Sequence, residues 1–174
     1  MTSDEINIRP EQPGDETAIA EIVTAAFGQA AEADLVGRLR AAGALTIAQV
    51  ALRQGEIVGH VALSPVSVDG AVAGRRWLGL APLAVRPDLQ RRGIGGWLVQ
   101  SAVDLAVEQD AVAVFVLGRP AYYERLGFEE GAAAGWRCVY DVPAAAFRVW
   151  RVAGSPDLPP SGTVRYHPAF DGLE

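Results

Sequence analysis

"LAPLAVRPDLQRRGIGGWLV", Leu80 to Val99, decides how the rest of the chain is read. It passes from an apolar run into an arginine-rich loop, a glycine cluster and the start of an amphipathic segment. Glycines at 93, 95 and 96 weaken a helix start, and the adjacent cations Arg91 and Arg92 repel each other. A loop between a strand and a helix offers something in return. Its backbone N–H groups lack intrahelical partners and the helix dipole adds partial positive charge. Such a turn suits an anion, phosphate above all, and glycine lets the anion approach because no Cβ stands in the way. Between Arg86 and Arg92 lie three arginines and one aspartate, a local charge of +2 in a chain whose net charge is −6.

Working outward, "WLVQSAVDLAVEQD" reads as a helix, with Trp97, Leu98, Ala102 and Leu105 at helical spacing. "AVAVFVLG" is apolar throughout, as expected for a strand buried on both faces. Strand, glycine loop, helix and strand make a βαβ unit with parallel strands. Upstream, "INIRP" is a short strand. Two helices follow in "PGDETAIAEIVTAAF", starting near Asp15, and "AEADLVGRLRAAG", stopping at Gly43. The run 45–70 is a hairpin turning at Gln54-Gly55, and "RRWLGLAPLAVRP" is a third strand. Downstream, "PAYYERLG" is a short helix with Pro120 in its first turn and Gly127 at its left-handed end. "RCVYDV" and "GTVRYHP" read as further strands joined by the loop "AGSPDLPPSG". The class is mixed α/β (α+β): an antiparallel N-terminal meander leading into one parallel βαβ unit. With no internal repeat or long linker, residues 1–174 are expected to form a single domain.

Composition excludes several functions. Cys138 is the only cysteine, and His60 and His167 are the only histidines, too few for a disulfide or most zinc sites, so no metal is expected. All fifteen basic residues are arginine, which removes Schiff-base lysines and the lysine of a Walker loop. The acidic balance argues against nucleic acid as a partner. No apolar run approaches the roughly 18 residues of a membrane span. The acidic start "MTSDEINIRP" is unlike a secretory signal, so a soluble cytoplasmic protein is expected.

The loop itself fits neither common nucleotide fingerprint. A dinucleotide-binding loop wants glycine where Leu98 stands, and a Walker loop wants lysine. The spacing Gln90-x-x-Gly93-x-Gly95 instead resembles the Gln/Arg-x-x-Gly-x-Gly/Ala loop of the GNAT superfamily of N-acetyltransferases, where it cradles the pyrophosphate of acetyl-CoA. Residues 80–99 as a whole resemble that family's central strand, loop and helix. Tyr123-x-x-x-Gly127-Phe128 resembles its next helix, and "GTVRYHPAF" looks like a branch of uncharacterised bacterial N-acetyltransferases. The resemblance implies a mixed sheet whose two parallel strands splay apart, flanked by helices. Pro82, which cannot donate to a strand ladder, would mark that opening.

What the resemblance implies about the site is specific. Leu83, Ala84 and Val85 would offer backbone groups to the pantetheine arm of acetyl-CoA. Gln90, Arg91, Arg92, Gly93, Ile94, Gly95 and Gly96 would hold its pyrophosphate, Arg86 would contribute phosphate contacts, and Arg125 matches a position near a CoA phosphate. Tyr123 sits where the family keeps its general acid. A phenol is protonated at neutral pH and can serve the departing thiolate. Tyr122, about 100° around the helix, is expected to pack in the core.

No general base is assigned. His60 reads as a satisfied strand histidine, and Glu32 and Asp34 fall on the helix pair that borders the acceptor site in relatives. The expected activity is direct transfer of an acetyl group from acetyl-CoA to a primary amine of a small molecule or peptide. Two alternatives stand beside it: a non-catalytic acyl-CoA-binding module and, fitting the acidity less well, an aminoacyl-tRNA-acetylating toxin. The sequence admits a homodimer without requiring one.

Overall fold

A computed structural model describes residues 4–71, 74–152 and 161–173. The loop expected at 153–162 therefore lies mostly outside the described residues. Seven strands form the main sheet: β1 (Ile6–Pro10), β2 (Ile47–Arg53), β3 (Glu56–Pro65), β5 (Arg76–Val85), β6 (Ala111–Leu117), β7 (Glu129–Glu130) and β9 (Phe147–Arg151). Their order across the sheet is β1-β2-β3-β5-β6-β9-β7. Among the described residues of this sheet only β5 and β6 run parallel; the other neighbours are antiparallel. The fold class is the one expected.

The hairpin turns where the sequence placed it. Gln54 and Gly55 both adopt positive φ, 53° and 81°, as a two-residue turn requires when Arg53 pairs with Glu56. Helices α1 (Glu16–Phe27) and α2 (Ala31–Ala41) bury Ile19, Val23, Leu35, Val36 and Leu39 on one face of the sheet. Asp15 precedes α1 without capping it through its side chain. It instead binds the Arg9 guanidinium at 2.7 and 3.1 Å and accepts the Gln12 N–H at 2.8 Å, which holds its carboxyl below the usual range.

Helix α3 (Ile94–Glu108) covers the other face and begins three residues earlier than its sequence pattern predicts. Its buried stripe runs Ile94, Leu98, Val99, Ala102, Val103 and Ala106. Trp97, expected among these, is 53% exposed and lies along Gly93 instead. Two further features escape the sequence reading. Strand β9 carries a buried arginine, Arg148, which donates to the Phe128 and Ala145 carbonyls and interrupts the continuous apolar run that marks a strand buried on both faces. A second small sheet joins β4 (Ser67–Val68), β10 (Gly162–Arg165) and β8 (Trp136–Cys138). "RCVYDV" thus contributes only its start to a strand, because β8 pairs in parallel with residues 26 positions later, Gly162 facing Trp136.

Candidate functional site

The parallel ladder between β5 and β6 ends at Leu80 opposite Val116. Beyond it β5 continues to Val85 with β3 alone, Leu83, Ala84 and Val85 facing Val61, His60 and Gly59. Among the described residues no strand lies beside the other edge of Leu83–Val85. An irregularity at Ala81-Pro82 accompanies the parting. Leu78 and Leu80 lie in the cluster beneath α3, and so do Leu83 and Val85. A strict period of two would send 83 and 85 to the opposite face; one extra residue restores them, as a β-bulge does. Pro82 supplies no N–H to be satisfied there.

The parted strands open a cleft of about 1550 Å³ through the sheet. One side is built by the loop before α3 and by α4 (Pro120–Arg125), the other by α1, α2, residues 140–142 and the C-terminal segment. Gly93 precedes α3 with φ 87°, in the left-handed region, and no side chain caps the helix start. Gly95 and Gly96 occupy the first turn, so their N–H groups are among those without intrahelical acceptors. The Gln90 side-chain amide donates to the Val85 carbonyl at 3.0 Å and ties the loop to the end of β5.

Most of the site residues expected from sequence come together here. Leu83, Val85, Gln90, Arg91, Gly93, Ile94, Gly95, Gly96, Tyr123 and Arg125 line the cleft. Ala84 and Arg92 do not. The Ala84 side chain is buried against α1 on the opposite face, and Arg92 is exposed near Asp88, whose carboxyl it helps to hold low after Arg86 has done most of it. Arg86 also stands apart, its guanidinium bound to Asp88 at 2.7 Å with Glu56 at 3.7 Å, so it is not available in the way the sequence suggested.

The two tyrosines divide differently from expectation. Tyr123 is the buried one, 7% exposed, edge-on to Phe128 with centroids 5.5 Å apart. Burial pushes its phenol well above the ordinary value. Its ring lies on Gly118 at the end of β6, where a Cβ would sit 2.9 Å from Cδ2 and closer still to Cε2. Tyr122 is half-buried rather than a core residue. It lines the cleft and its hydroxyl reaches Gly95.

A cleft formed where two parallel strands part, with a glycine-led helix start on one wall, has close counterparts. Residues 14–128 match the acetyltransferase (GNAT) family. The chain belongs to that family. By this membership it is an acyltransferase, as the resemblance in Gln90-x-x-Gly93-x-Gly95 implied. The GNAT-family protein YhbS of Escherichia coli K12, an uncharacterised N-acetyltransferase, is 39% identical over 165 residues, covering 94% of this chain and 98% of that one. The structure of E. coli YhbS in complex with CoA matches with a TM-score of 0.90 at 36% identity, over 100% of this chain and 96% of that one. A GNAT acetyltransferase from Brucella melitensis in complex with acetyl-CoA matches with a TM-score of 0.79 at 36% identity, over 97% and 99%.

Within this GNAT chain the base candidates separate cleanly. His60 is 0% exposed, faces the α1 side of β3 and does not line the cleft. It is not the satisfied histidine expected, since neither ring nitrogen has a hydrogen-bond partner among the described residues. Its pKa falls to about 4, chiefly through burial and secondarily through Arg40. Glu32 lines the cleft and accepts from the Gln29 side chain at 2.9 Å; Asp34, on the same helix, is exposed and does not. Among the described residues no helix is long and apolar enough to cross a membrane. Gly118, Tyr122, Asp141 and Tyr166 line the cleft without having been singled out for it. Gly118 carried a readable signal, a glycine between an apolar strand and a proline-started helix. Tyr166 carried none, because only the placement of β10 brings it to the cleft.

Proposed function

We propose that the chain, as one domain over residues 1–174, binds acetyl-CoA in this cleft and transfers its acetyl group directly to a primary amine. The single observation that carries the reading is the parting of β5 from β6 at Leu80 and Val116, with the glycine-led start of α3 on the wall of the same opening. The free edge of Leu83–Val85 suits the amides of a pantetheine arm. The N–H groups of residues 91–96, the helix dipole and the cations Arg91 and Arg125 suit a pyrophosphate and its neighbouring phosphate. Neither arginine forms an ion pair with a described carboxylate, in contrast to Arg86. Arg92, beside the loop but outside the cleft, would act only at longer range.

Acetyl-CoA supplies the activated thioester; the amine nitrogen forms the new C–N bond as the C–S bond breaks. Tyr123 is assigned as the acid. Burial keeps its phenol protonated throughout the neutral range, and the same burial makes complete loss of its proton costly. Its contribution is therefore a hydrogen bond donated to sulfur as negative charge develops there, with the amine's proton available to complete the transfer. No side chain is assigned as base.

Isothermal calorimetry with acetyl-CoA, followed by thiol release in the presence of primary amines, tests the reading. Micromolar binding with amine-dependent thiol release is expected. Binding without release from any amine would select a non-catalytic acyl-CoA-binding module, and no binding at millimolar cofactor would remove the assignment.

A further inference from the structure

Of the buried side-chain polar atoms without a hydrogen-bond partner among the described residues, one belongs to a residue that lines the cleft: the hydroxyl of Tyr166. Tyr166 follows β10 directly and is 9% exposed. Its ring rests on Gly79, where a Cβ would lie 2.7 Å from Cε1. Gly79 immediately precedes Leu80, the last rung of the parallel ladder. Ala81 and Leu117, the first residues past that rung on each strand, pack against the aromatic cluster that contains Tyr166. Tyr166 therefore sits in the fork from the α2 side, as Tyr123 does from the α4 side. The hydroxyl itself is enclosed, and buried hydroxyls are nearly always paired, so an unpaired one in a cleft-lining residue points to a polar partner bound there.

The surroundings say which ligand. Charges lining the cleft divide by side: Arg91, Arg119 and Arg125 stand with α3 and α4, whereas Glu32 and Asp141 stand with α2 and the C-terminal segment. On the acidic side Tyr140, Tyr166 and Phe170 form a continuous aromatic wall, with ring centroids 5.8 and 5.1 Å apart. That wall is fixed to the helix bearing Glu32, because Arg38 on α2 donates to the Ala169 carbonyl at 3.0 Å. Carboxylates and aromatic faces both favour a cation, and both disfavour an anion.

We propose that this mouth is the acceptor subsite and takes a small primary amine as its cation, with an alkyl or aryl group against the aromatic wall. Glu32 and Asp141 draw the ammonium to the rim. After the amine sheds a proton to solvent, the Tyr166 oxygen accepts a hydrogen bond from an amine N–H at the fork. The proposal rests on the acetyl-transfer reading above.

The test uses the full chain at saturating acetyl-CoA, with thiol release measured against 2-phenylethylamine, hexylamine, glutamate and a neutral tripeptide. The two apolar amines are expected to exceed glutamate and the tripeptide at least 10-fold in kcat/KM, about the range one lost polar contact or one like-charge clash produces. Tyr166→Phe keeps the ring and should raise KM for 2-phenylethylamine about 10-fold, the size of one hydrogen bond to a polar ligand. Glu32→Gln should raise it roughly 5-fold at low salt, with the difference shrinking as sodium chloride is added. Melting temperature and acetyl-CoA affinity should stay at wild-type values in both variants. Preference for glutamate or the tripeptide, or wild-type KM in both variants, overturns the proposal. So does a protein that binds acetyl-CoA yet neither acetylates 2-phenylethylamine nor shows saturation-transfer contact with it. Failure to bind acetyl-CoA at all would instead strike the reading on which the subsite rests, and calorimetry reports that separately.

Discussion

The hydroxyl of Tyr122 stands 2.5 Å from the place a Cβ on Gly95 would occupy. The first turn of α3 and the first turn of α4 are thus fitted to each other through an absent side chain, and the glycine loop is shaped by its neighbour as well as by any ligand.

Gly95→Ala should therefore weaken acetyl-CoA binding mainly by pushing Tyr122 away. In the Tyr122→Phe background the hydroxyl is gone and the added methyl has room. The two substitutions should couple by about 1 kcal/mol or more, because they share one contact. Calorimetric Kd values for the wild type, both single variants and the double variant check this. Equal losses in both backgrounds would mean that the Cβ obstructs the ligand itself. Gly93 fails for another reason: its φ of 87° penalises any Cβ, although nothing crowds it closer than Trp97 at 3.7 Å. Gly93→Ala should cost about 1–2 kcal/mol of stability from backbone strain alone, measured by urea denaturation.

Tyr123→Phe should leave acetyl-CoA affinity intact and slow turnover roughly 10²-fold, the loss usual when one preorganised donor to developing charge is removed. Because burial raises the Tyr123 phenol, its ionisation should cause no alkaline fall in kcat up to about pH 10, the ordinary tyrosine value. A pH–rate profile of wild type against the variant checks both statements. A descending limb near neutral pH that vanishes in Tyr123→Phe would contradict the direction of the shift.

Gly118→Ala reaches the same residue from below. The new methyl would lie inside contact distance of the Tyr123 ring, which is packed against Phe128 and has little room to yield. Turnover should fall at least as far as in Tyr123→Phe, and stability should drop by about 1–3 kcal/mol, as overpacked sites usually do. Unchanged kinetics with an unchanged melting temperature would show that the ring has another resting place.

These residues also show how far the sequence could be read. The βαβ unit, the hairpin at Gln54-Gly55 and the opening at Pro82 were legible because each depends on local chemistry: glycine at positive φ, proline without a donor, an apolar run bounded by turns. Gln90, Gly93 and Gly95 were legible through spacing. The α2-side wall was not. Tyr140 and Tyr166 meet only because β8 and β10 pair in parallel across a long separation, a contact that no periodicity records. Tyr122 and Tyr123 were assigned opposite surroundings because a 100° step around a helix gives a relative direction, and which direction is inward depends on Gly118 and Phe128. Trp97 departs from its expected place because it stands 100° around the helix from Leu98, on the side away from Val99 and Val103, and so falls outside the buried stripe.

The last prediction concerns His60, which the proposed chemistry does not use. It is fully buried with both nitrogens unpartnered, and its pKa falls from 6.5 to about 4. Between those two values the unfolded chain binds a proton that the folded chain refuses, so stability rises with pH across the window and is lost as pH falls through it. Below about pH 4 both states are protonated and this group adds no further slope. At 1.36 kcal/mol per unit, the loss from neutral pH to the bottom of the window is about 3 kcal/mol. Asp15, whose carboxyl is held low by Arg9, loses its contribution only below about pH 4, so it does not blur the window. His60→Leu removes the titrating ring at similar volume and leaves no unpaired nitrogen. Its stability at pH 7.5 should match or exceed wild type. Urea denaturation of both proteins at pH 7.5, 6 and 4.5 should show the wild type falling steeply while the variant stays much flatter. Parallel pH profiles would mean that His60 keeps its proton in the folded protein through a partner, and would return it to the list of groups able to act.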